Sequence, residues 1–364
     1  MFRSTMMYVI LVGLLASCGT KELPSEEHDI QLSIRDTIGV EMGDPNYVFG
    51  AIVDATFLPD GRIAVLDVLN NRVSLYDQYG KFIDCFGSAG NGPGEFAEPS
   101  SFTVVENNGF AVADNMHGTV LYFDSNYVYE REITGFSNSP YSIRHGLGES
   151  VIGMQFDYKM EGSSLFLGTR ICTWEDTTDP VKVYTSEYVI HDDSRKGFLP
   201  TFVFDTDYDG NVVSALHSET EFRAVIQNSI ADTLFIIDEP WVRRAKTTAE
   251  ITYEHMRYRF DTPGFSETDR RAIADAWEPN PYSLAISDVR VDTSNRIWLK
   301  TNIPENPSPA FRVYNMTGMY LGEAITDFGP DANNWTFVFR DSLALAFDSN
   351  SDKYPMLFIM SVNY

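Results

Sequence analysis

The chain has 364 residues, with 52 acidic and 27 basic side chains, so its formal net charge at neutral pH is −25. An acidic surface of this kind repels the phosphates of nucleic acids and anionic lipid headgroups, which disfavours binding to either. Aromatic residues make up 13% of the chain, and most are Phe and Tyr, which favour strands over helices. The composition therefore predicts a β-rich protein without a nucleic-acid partner.

The first residues predict a targeting segment rather than part of the fold. A basic residue precedes a short apolar run at residues 6–16, which is too short to span a bilayer comfortably. The run ends in Leu-Ala-Ser-Cys-Gly, which resembles the lipobox of bacterial lipoproteins, in which the Cys becomes the lipidated first residue of the mature protein. We predict a signal peptide over residues 1–17, a lipid on Cys18 and a polar tether over residues 18–29. An ordinary signal peptide with a chance Cys is the alternative.

Lipid chains on Cys18 would hold the protein to a membrane surface without a spanning helix. The predicted location is therefore the cell envelope, with the anchor in the outer membrane. After lipidation only Cys85 and Cys172 remain. An oxidising compartment allows a disulfide, but these two lie in strands of different predicted units, so we expect two buried free thiols.

Two copies of one sequence unit follow each other at a fixed spacing. Five residues of the first copy recur 47 positions later without a gap: Ala64, Val65, Asp67, Val73 and Asp77 return as Ala111, Val112, Asp114, Val120 and Asp124. A fixed period of this length that carries short β-rich runs is typical of radially repeated all-β folds.

Each unit is interpreted as four short antiparallel strands joined by tight turns, which together make one propeller blade. Later units follow the same pattern, and the last has only three strands, at residues 335–339, 343–347 and 356–362. The alternating segment at 30–38 supplies the missing fourth strand, which leaves no open edge. The predicted fold is an all-β, six-bladed propeller over residues 30–364 that is closed by its N-terminal strand.

A family resemblance adds to this prediction. The run from Gly90 to Phe96 reads Gly-Asn-Gly-Pro-Gly-Glu-Phe, and a strand, a turn and Ala-Val-Ala-Asp at residues 111–114 follow it. This resembles the NHL-type repeat of six-bladed propellers, with a specific match over residues 47–133. The whole chain resembles the exported six-bladed propeller lipoproteins of Bacteroidetes, which implies a propeller but no particular reaction. The glycines do not predict phosphate binding, because no Lys-Ser/Thr follows them.

Residues 245–277 interrupt the strand pattern with helix-forming residues, which predicts two short helices inserted between blades four and five. Antiparallel geometry places this insertion on the same face as the loops at 67–72, 87–99 and 114–118. We predict that the helices cap the mouth of the central channel. A lateral insertion that only shields an edge is the alternative.

The predicted ligand-binding residues lie on this face, in loops or close to the insertion: Asp67, Asn71, Arg72, Asp114, His117, Arg243 and Arg244. Arginine side chains here could hold a carboxylate or a sulfate, or they could pair with neighbouring Asp and Glu. Asp67 and Asp114 end equivalent strands, and repetition at equivalent positions also fits a structural role, such as capping the loop that follows.

No cofactor is predicted. Residues 205–210 begin like a calcium loop, but Leu216 stands at the twelfth position, where a bidentate Glu would complete the site, so a hairpin turn is the preferred interpretation. The six His residues lack the close spacing of a zinc helix motif, although calcium or another divalent metal held between blades remains open.

No Gly-x-Ser-x-Gly elbow or other nucleophile signature is present in the sequence. The predicted function is therefore that of a membrane-anchored, extracytoplasmic binding or scaffold propeller. It would act as a monomer and recognise a glycan, a peptide or a protein partner at its capped face. The alternative is a metal-dependent hydrolase or lyase with its active site in the axial channel.

Overall fold

The structure, a computed structural model, describes residues 28–190, 200–248, 250–252, 254, 280–302, 308–349 and 354–364. Within these residues, 24 β-strands form six four-stranded antiparallel blades around a central axis. The predicted six-bladed propeller is confirmed. No helix among the described residues is long and apolar enough to cross a membrane.

Within each blade, the first strand lies nearest the axis and the fourth strand lies at the rim. Blade one contains β2 (Ile52–Phe57), β3 (Ile63–Asp67), β4 (Arg72–Tyr76) and β5 (Phe82–Phe86). Blade two contains β6 (Pro99–Val104), β7 (Phe110–Asp114), β8 (Thr119–Phe123) and β9 (Tyr129–Thr134). Blade three contains β10 (Tyr141–His145), β11 (Val151–Glu161), β12 (Ser164–Trp174) and β13 (Lys182–Ile190).

The second half of the ring follows the same plan. Blade four contains β14 (Phe202–Thr206), β15 (Val212–Leu216), β16 (Phe222–Gln227) and β17 (Thr233–Glu239). Blade five contains β18 (Asp288–Val291), β19 (Arg296–Thr301), β20 (Ala310–Asn315) and β21 (Tyr320–Ile325). Blade six contains β22 (Thr336–Arg340), β23 (Leu343–Phe347), β24 (Leu357–Asn363) and β1 (His28–Ile38). Two 3-10 helices lie at Glu106–Asn108 and Pro330–Asn334.

The repeated Asp of the sequence unit makes the turn between the third and fourth strands. Asp77 Oδ1 accepts hydrogen bonds from the backbone N–H groups of Tyr79 and Lys81, both at 2.9 Å. Asp124 holds its own turn in the same way. Gly80, with a φ of +82°, takes the left-handed conformation that the turn requires.

Apolar side chains from neighbouring blades pack between the sheets. The buried core of the described residues divides into six clusters, and each one joins two adjacent blades. Between blades five and six, for example, Trp298 stacks on Phe339 with ring centroids 4.0 Å apart. Burying one large apolar side chain contributes about 1.5–3 kcal/mol, so these interfaces carry the stability of the ring.

The N-terminal strand closes the ring, as predicted. β1 pairs with β24 in antiparallel register from Gln31 to Ile38 and completes blade six. Its first three residues also pair in parallel with β21 of blade five, so one eight-stranded sheet spans both blades. A bulge between Ile34 and Asp36 breaks the alternation, and Ile34 is exposed rather than half-buried.

Alternating strand directions give the propeller two different faces. The loops between second and third strands and the connections between blades lie on one face, which we call the connection face. The turns between first and second strands and between third and fourth strands lie on the opposite face, which we call the turn face.

The predicted helical insertion begins and ends on the connection face. Ala245 and Tyr282 pair as an isolated antiparallel bridge, and Lys246 N–H donates to the carbonyl of Pro281 at 2.8 Å, so the two ends of the insertion lie together. Thr248, Glu250–Thr252 and Glu254 are helical. Residues 255–279, and with them most of the predicted cap, lie outside the described residues.

One prediction about the cysteines is wrong. Both Cys85 and Cys172 are free thiols, but only Cys172 is buried, and Cys85 is exposed. The reason is the position of the strands, because β5 is the outermost strand of its blade whereas β12 lies inside blade three. Burial raises the pKa of the Cys172 thiol to about 12.

Candidate functional site

Asp67, one of the predicted ligand residues, is fully buried at the end of β3. Its carboxylate accepts hydrogen bonds from the backbone N–H groups of Gly50 at 2.9 Å and Ala51 at 3.0 Å. Asn70 Nδ2 also donates to it, at 2.6 Å. The side chain therefore joins the connection that enters blade one to the loop that follows β3.

Asp114 has the same structural role in blade two. Its carboxylate accepts from the N–H groups of Ala97 at 2.7 Å and His117 at 3.1 Å. The His117 ring makes a hydrogen bond of 2.9 Å between its Nε2 and Oδ1 of Asn91, in the glycine-rich connection. The geometry thus supports the structural role that repetition of this Asp suggested.

Asn71 and Arg72 lie beside Asp67 and hold the same region together. Arg72 Nη2 donates to the carbonyl of Pro45 at 2.7 Å, and Asn71 takes a left-handed φ of +51°. Arg72 Nε and Asn71 Oδ1 are enclosed and have no hydrogen-bond partner in the described part of the chain.

Arg243 and Arg244 lie at the base of the insertion, in contact with acidic side chains. The Arg243 guanidinium stacks over the ring of Tyr282 at 4.0 Å and lies 3.5 Å from Glu219. Arg244 forms a two-point pair with Glu250, with Nη1 at 3.1 Å from Oε2. The seven predicted residues therefore lie in three separate places, and they do not line one pocket.

Glu250 also completes a capping box that the sequence analysis missed. Thr247 Oγ1 accepts from the N–H of Glu250 at 3.2 Å, and Glu250 Oε2 accepts from the N–H of Thr247 at 2.7 Å. Burial raises the pKa of Glu250, but the hydrogen bonds from Arg244 and Thr247 outweigh that effect and lower the pKa to about 2. The signal was the Thr-Thr-Ala-Glu sequence at residues 247–250.

A cavity of about 120 Å³ lies on the propeller axis. The first strands of all six blades supply its walls. Tyr208, Thr293 and Arg340, which are in or beside the turns that follow the first strands, also line it. The cavity therefore lies toward the turn face, away from the face on which the sequence analysis placed the ligand site.

Charged side chains from several blades converge on this cavity, among them Asp54, Arg144, Asp205 and Arg290. Arg144 lies 3.1 Å from Asp205 and 3.8 Å from Asp54. Arg290 lines the same cavity, and its Nε donates to Asp288 at 3.1 Å. These residues were not predicted as a site, because they are separated by up to 236 positions along the chain, from 54 to 290.

The first strands of blades one and three, β2 and β10, have an irregular backbone close to the charged residues that face the axis. The pairing of β2 with β3 shifts register between Ile52 and Asp54, and the pairing of β10 with β11 shifts between Tyr141 and Arg144. Ser142, within the second shift, has a left-handed φ of +51°. A bulge changes the direction of the side chains that follow it. Here the residues at the end of the two shifts, Asp54 and Arg144, face the axis.

The axial carboxylates also connect neighbouring blades. Asp54 Oδ2 accepts from the N–H of Phe102 in blade two at 3.2 Å, and Asp205 Oδ2 accepts from the N–H of Val291 in blade five at 2.8 Å. Ser101, 47 positions after Asp54, accepts from Ile143 of blade three at 2.9 Å. Asp54 and Ser101 thus have the same role one repeat apart, so the 47-residue period could have indicated this position.

Burial raises the pKa values of Asp54 and Asp205, against the opposing effect of Arg144 and Arg290. For Arg290, burial lowers the pKa, but Asp288, Asp205 and Asp54 outweigh it and the pKa is raised. The described residues contain no group of three or more His, Cys, Asp or Glu side chains that could hold a metal ion.

The stretch that resembles the start of a calcium loop forms a hairpin turn. Asp207 Oδ1 accepts from the N–H groups of Asp209 at 3.0 Å and Asn211 at 2.8 Å. This turn joins β14 to β15, and Gly210 within it has a φ of +72°. Asp205, at the start of the stretch, points instead to the axial pair with Arg144.

Blade three carries a hairpin that projects from the connection face. β11 and β12 have 11 residues each, whereas the second strands of the other blades have five or six. At about 3.3 Å per residue, the extra length extends roughly 15–20 Å beyond the neighbouring blades. We call residues 155–167 the projecting hairpin.

One face of the projecting hairpin is apolar and open to solvent. Phe156, Tyr158 and Met160 alternate along β11 and are 44%, 65% and 60% exposed. Strand register places the half-buried Leu167 opposite Tyr158 and Leu165 opposite Met160, on the same face. The Phe156 ring stacks on Tyr141 at 4.9 Å, which leaves the outer part of the face uncovered.

On the opposite face the side chains of β11 are polar and their charges are paired, while Phe166 and Ile190 of the neighbouring strands share that face. Lys159 lies 3.1 Å from Glu161 and 4.5 Å from the centre of the Tyr188 ring. Arg170 donates to Gln155 at 2.8 Å. The charged side chains of β11 on this face are therefore paired, whereas its apolar side chains on the other face are exposed.

Comparison with known proteins supports the architecture. Residues 49–142 match the model of the DUF5128 family, which is described as a 6-bladed beta-propeller. No curated protein sequence matches the chain. Among solved structures, a member of the DUF4221 family from Bacteroides vulgatus is 9% identical, with a TM-score of 0.53, and the match covers 93% of this chain and 99% of that one.

A second similar structure is a protein from Bacteroides fragilis that is inferred to be exported. It is 13% identical, with a TM-score of 0.50, and the match covers 92% of this chain and 96% of that one. The fold is shared. At such low identity these likenesses concern the architecture alone.

Proposed function

We propose that this protein is an exported, lipid-anchored propeller that binds an extended peptide segment of a partner protein at the projecting hairpin. Export and anchoring are supported by the apolar run and the lipobox-like sequence that ends at Gly19, and by the export inferred for the Bacteroides fragilis neighbour. Binding is supported by one observation. The hairpin presents an exposed apolar face beside a strand edge that pairs with no strand in the described part of the chain.

The edge belongs to the axis side of β11. β10 pairs with β11 only as far as Met154, and from Gln155 to Glu161 this edge pairs with no strand among the described residues. Asn138 Nδ2 contacts the carbonyl of Phe156 at 3.4 Å, so the connection from blade two covers the start of the edge. No described strand covers residues 157–161, and we propose that this part of the edge accepts an added strand.

An extended peptide satisfies both properties of the hairpin. Its backbone would supply donors and acceptors to the edge, and its alternate side chains would extend the apolar face beside Tyr158 and Met160. A glycan was an equal candidate from the sequence, but it offers no regular ladder of backbone groups. The hairpin geometry therefore favours a peptide.

Peptide selection provides a direct test. A random 12-residue peptide library displayed on phage would be selected against residues 19–364, and the binding constants of the enriched peptides measured. We expect sequences with alternating apolar residues that bind at least about tenfold more weakly to the Tyr158→Ser/Met160→Ser variant, because about 1.4 kcal/mol of apolar contact is lost. Leu69→Ser is the matched control, because Leu69 is 70% exposed on the same face.

Hydrogen exchange gives a second readout for the same peptides. Backbone pairing should slow amide exchange in residues 157–161, and a proline at the centre of the peptide should abolish binding, because it removes a ladder donor. Equal binding to the double variant and to Leu69→Ser, with no protection at the edge, would rule out this site.

The anchor has a separate test. Cys18→Ser should move the protein from the membrane fraction to the soluble fraction of the envelope, since no other lipid attachment point is predicted. Unchanged membrane association of this variant would refute lipidation at Cys18 without affecting the peptide site.

A further inference from the structure

We infer that the axial cavity binds a carboxylate group, which the guanidinium of Arg290 would hold. This site lies toward the turn face and does not depend on the projecting hairpin. Arg290 is 9% exposed and lines the cavity. Its Nε donates to Asp288 at 3.1 Å, while Nη1 and Nη2 donate to no side chain or carbonyl of the described residues. Neither of these nitrogens is sealed from solvent.

Arg290 has hydrogen-bond donors at the axis that no described residue uses, whereas both nearby carboxylates already accept hydrogen bonds. Both oxygens of Asp54 accept backbone hydrogen bonds, from Ala55 at 3.0 Å and Phe102 at 3.2 Å. Asp205 likewise accepts from Val291 and contacts Arg144. Since these carboxylates already accept hydrogen bonds and the two Nη groups of Arg290 have no hydrogen-bond partner among the described residues, a molecule with acceptor oxygens fits the cavity best.

Shape and size narrow the class of ligand. The two Nη groups of a guanidinium form a planar fork that matches the two oxygens of a carboxylate. A volume of about 120 Å³ equals the share of about four water molecules in the liquid. It therefore accommodates a small carboxylate or the terminal carboxylate of a longer molecule that enters past Tyr208.

The probe for this site is sodium acetate, measured by calorimetric titration in a buffer without carboxylates. Methylammonium chloride and ethylene glycol serve as cationic and neutral probes of similar size. We expect acetate alone to bind. Arg290→Lys keeps the charge but loses the fork, so acetate affinity should fall about tenfold or more, and Arg290→Gln should abolish binding. Arg312→Lys, which alters an arginine paired with Glu239 outside the cavity, should bind acetate like the unaltered protein.

Three results would overturn the inference. The first is acetate affinity in Arg290→Lys equal to that of Arg312→Lys, with circular dichroism showing both folded. The second is no binding of acetate to the unaltered protein at concentrations on the order of 100 mM. The third is an equal response to ethylene glycol. If Arg290→Gln fails to fold, the Lys variant and the three-probe comparison still decide the outcome.

Discussion

Two buried aspartates of blade one show how partners determine the role of a carboxylate. Asp67 accepts only from backbone and amide groups of its own region, so its charge is used in holding two loops together. Asp54 lies near Arg144 and lines a cavity, so its charge also faces a space that a ligand can enter. Both look alike in the sequence, as acidic residues within apolar strands.

Replacement of Asp67 should measure the structural role. Asp67→Ala leaves the N–H groups of Gly50 and Ala51 without acceptors, and we expect the free energy of unfolding to fall by about 3 kcal/mol. Urea unfolding followed by fluorescence gives this value. Glu130→Ala, at an exposed position on β9, is the control and should change stability by less than about 0.5 kcal/mol. A loss similar to that of the control would mean that Asp67 is not structural.

Among the elements, the hairpin of blade three is the one whose length the sequence did not predict. The sequence pattern of blade three predicts strands at residues 151–156 and 165–172, which leaves the eight residues between them unassigned. In the structure, Gly162 takes a φ of +62° in a two-residue turn, and β11 and β12 pair throughout. Residues 154–161 alternate apolar and polar side chains, which is the pattern of a strand with two different faces, so the sequence did carry a signal for the longer β11.

At the scale of the whole molecule, the ring is held by contacts between residues that are far apart in sequence. β1 and β24 join the two ends of the chain, and the cluster between blades five and six includes Ile30 and Leu32 beside residues of the last strands. The two faces also separate the proposed binding sites, since the projecting hairpin rises from the connection face and the axial cavity lies toward the turn face.

Substitutions at two positions on β1 should show how much this strand stabilises the closed ring, because one side chain is buried and the other is exposed. Leu32 is 7% exposed within the cluster between blades five and six, and Leu32→Ala should lower the free energy of unfolding by about 2–5 kcal/mol. Ile34 is 45% exposed on the same strand, and Ile34→Ala should cost less than about 1 kcal/mol. Chemical unfolding of both variants provides the comparison. Equal losses would show that β1 contributes little to the closure of the ring.

The number of blades, the closing N-terminal strand and, outside the hairpin of blade three, most strand boundaries could be predicted from the amino-acid sequence alone. These features depend on local turn chemistry, such as that of Asp77 and Gly80, and on a repeat whose period is visible along the chain. Only the tertiary structure decided that Asp54, Arg144, Asp205 and Arg290 meet at the axis and that the cavity lies toward the turn face. Those residues are brought together by closure of the ring, and no local pattern encodes a contact between strands on opposite sides of it.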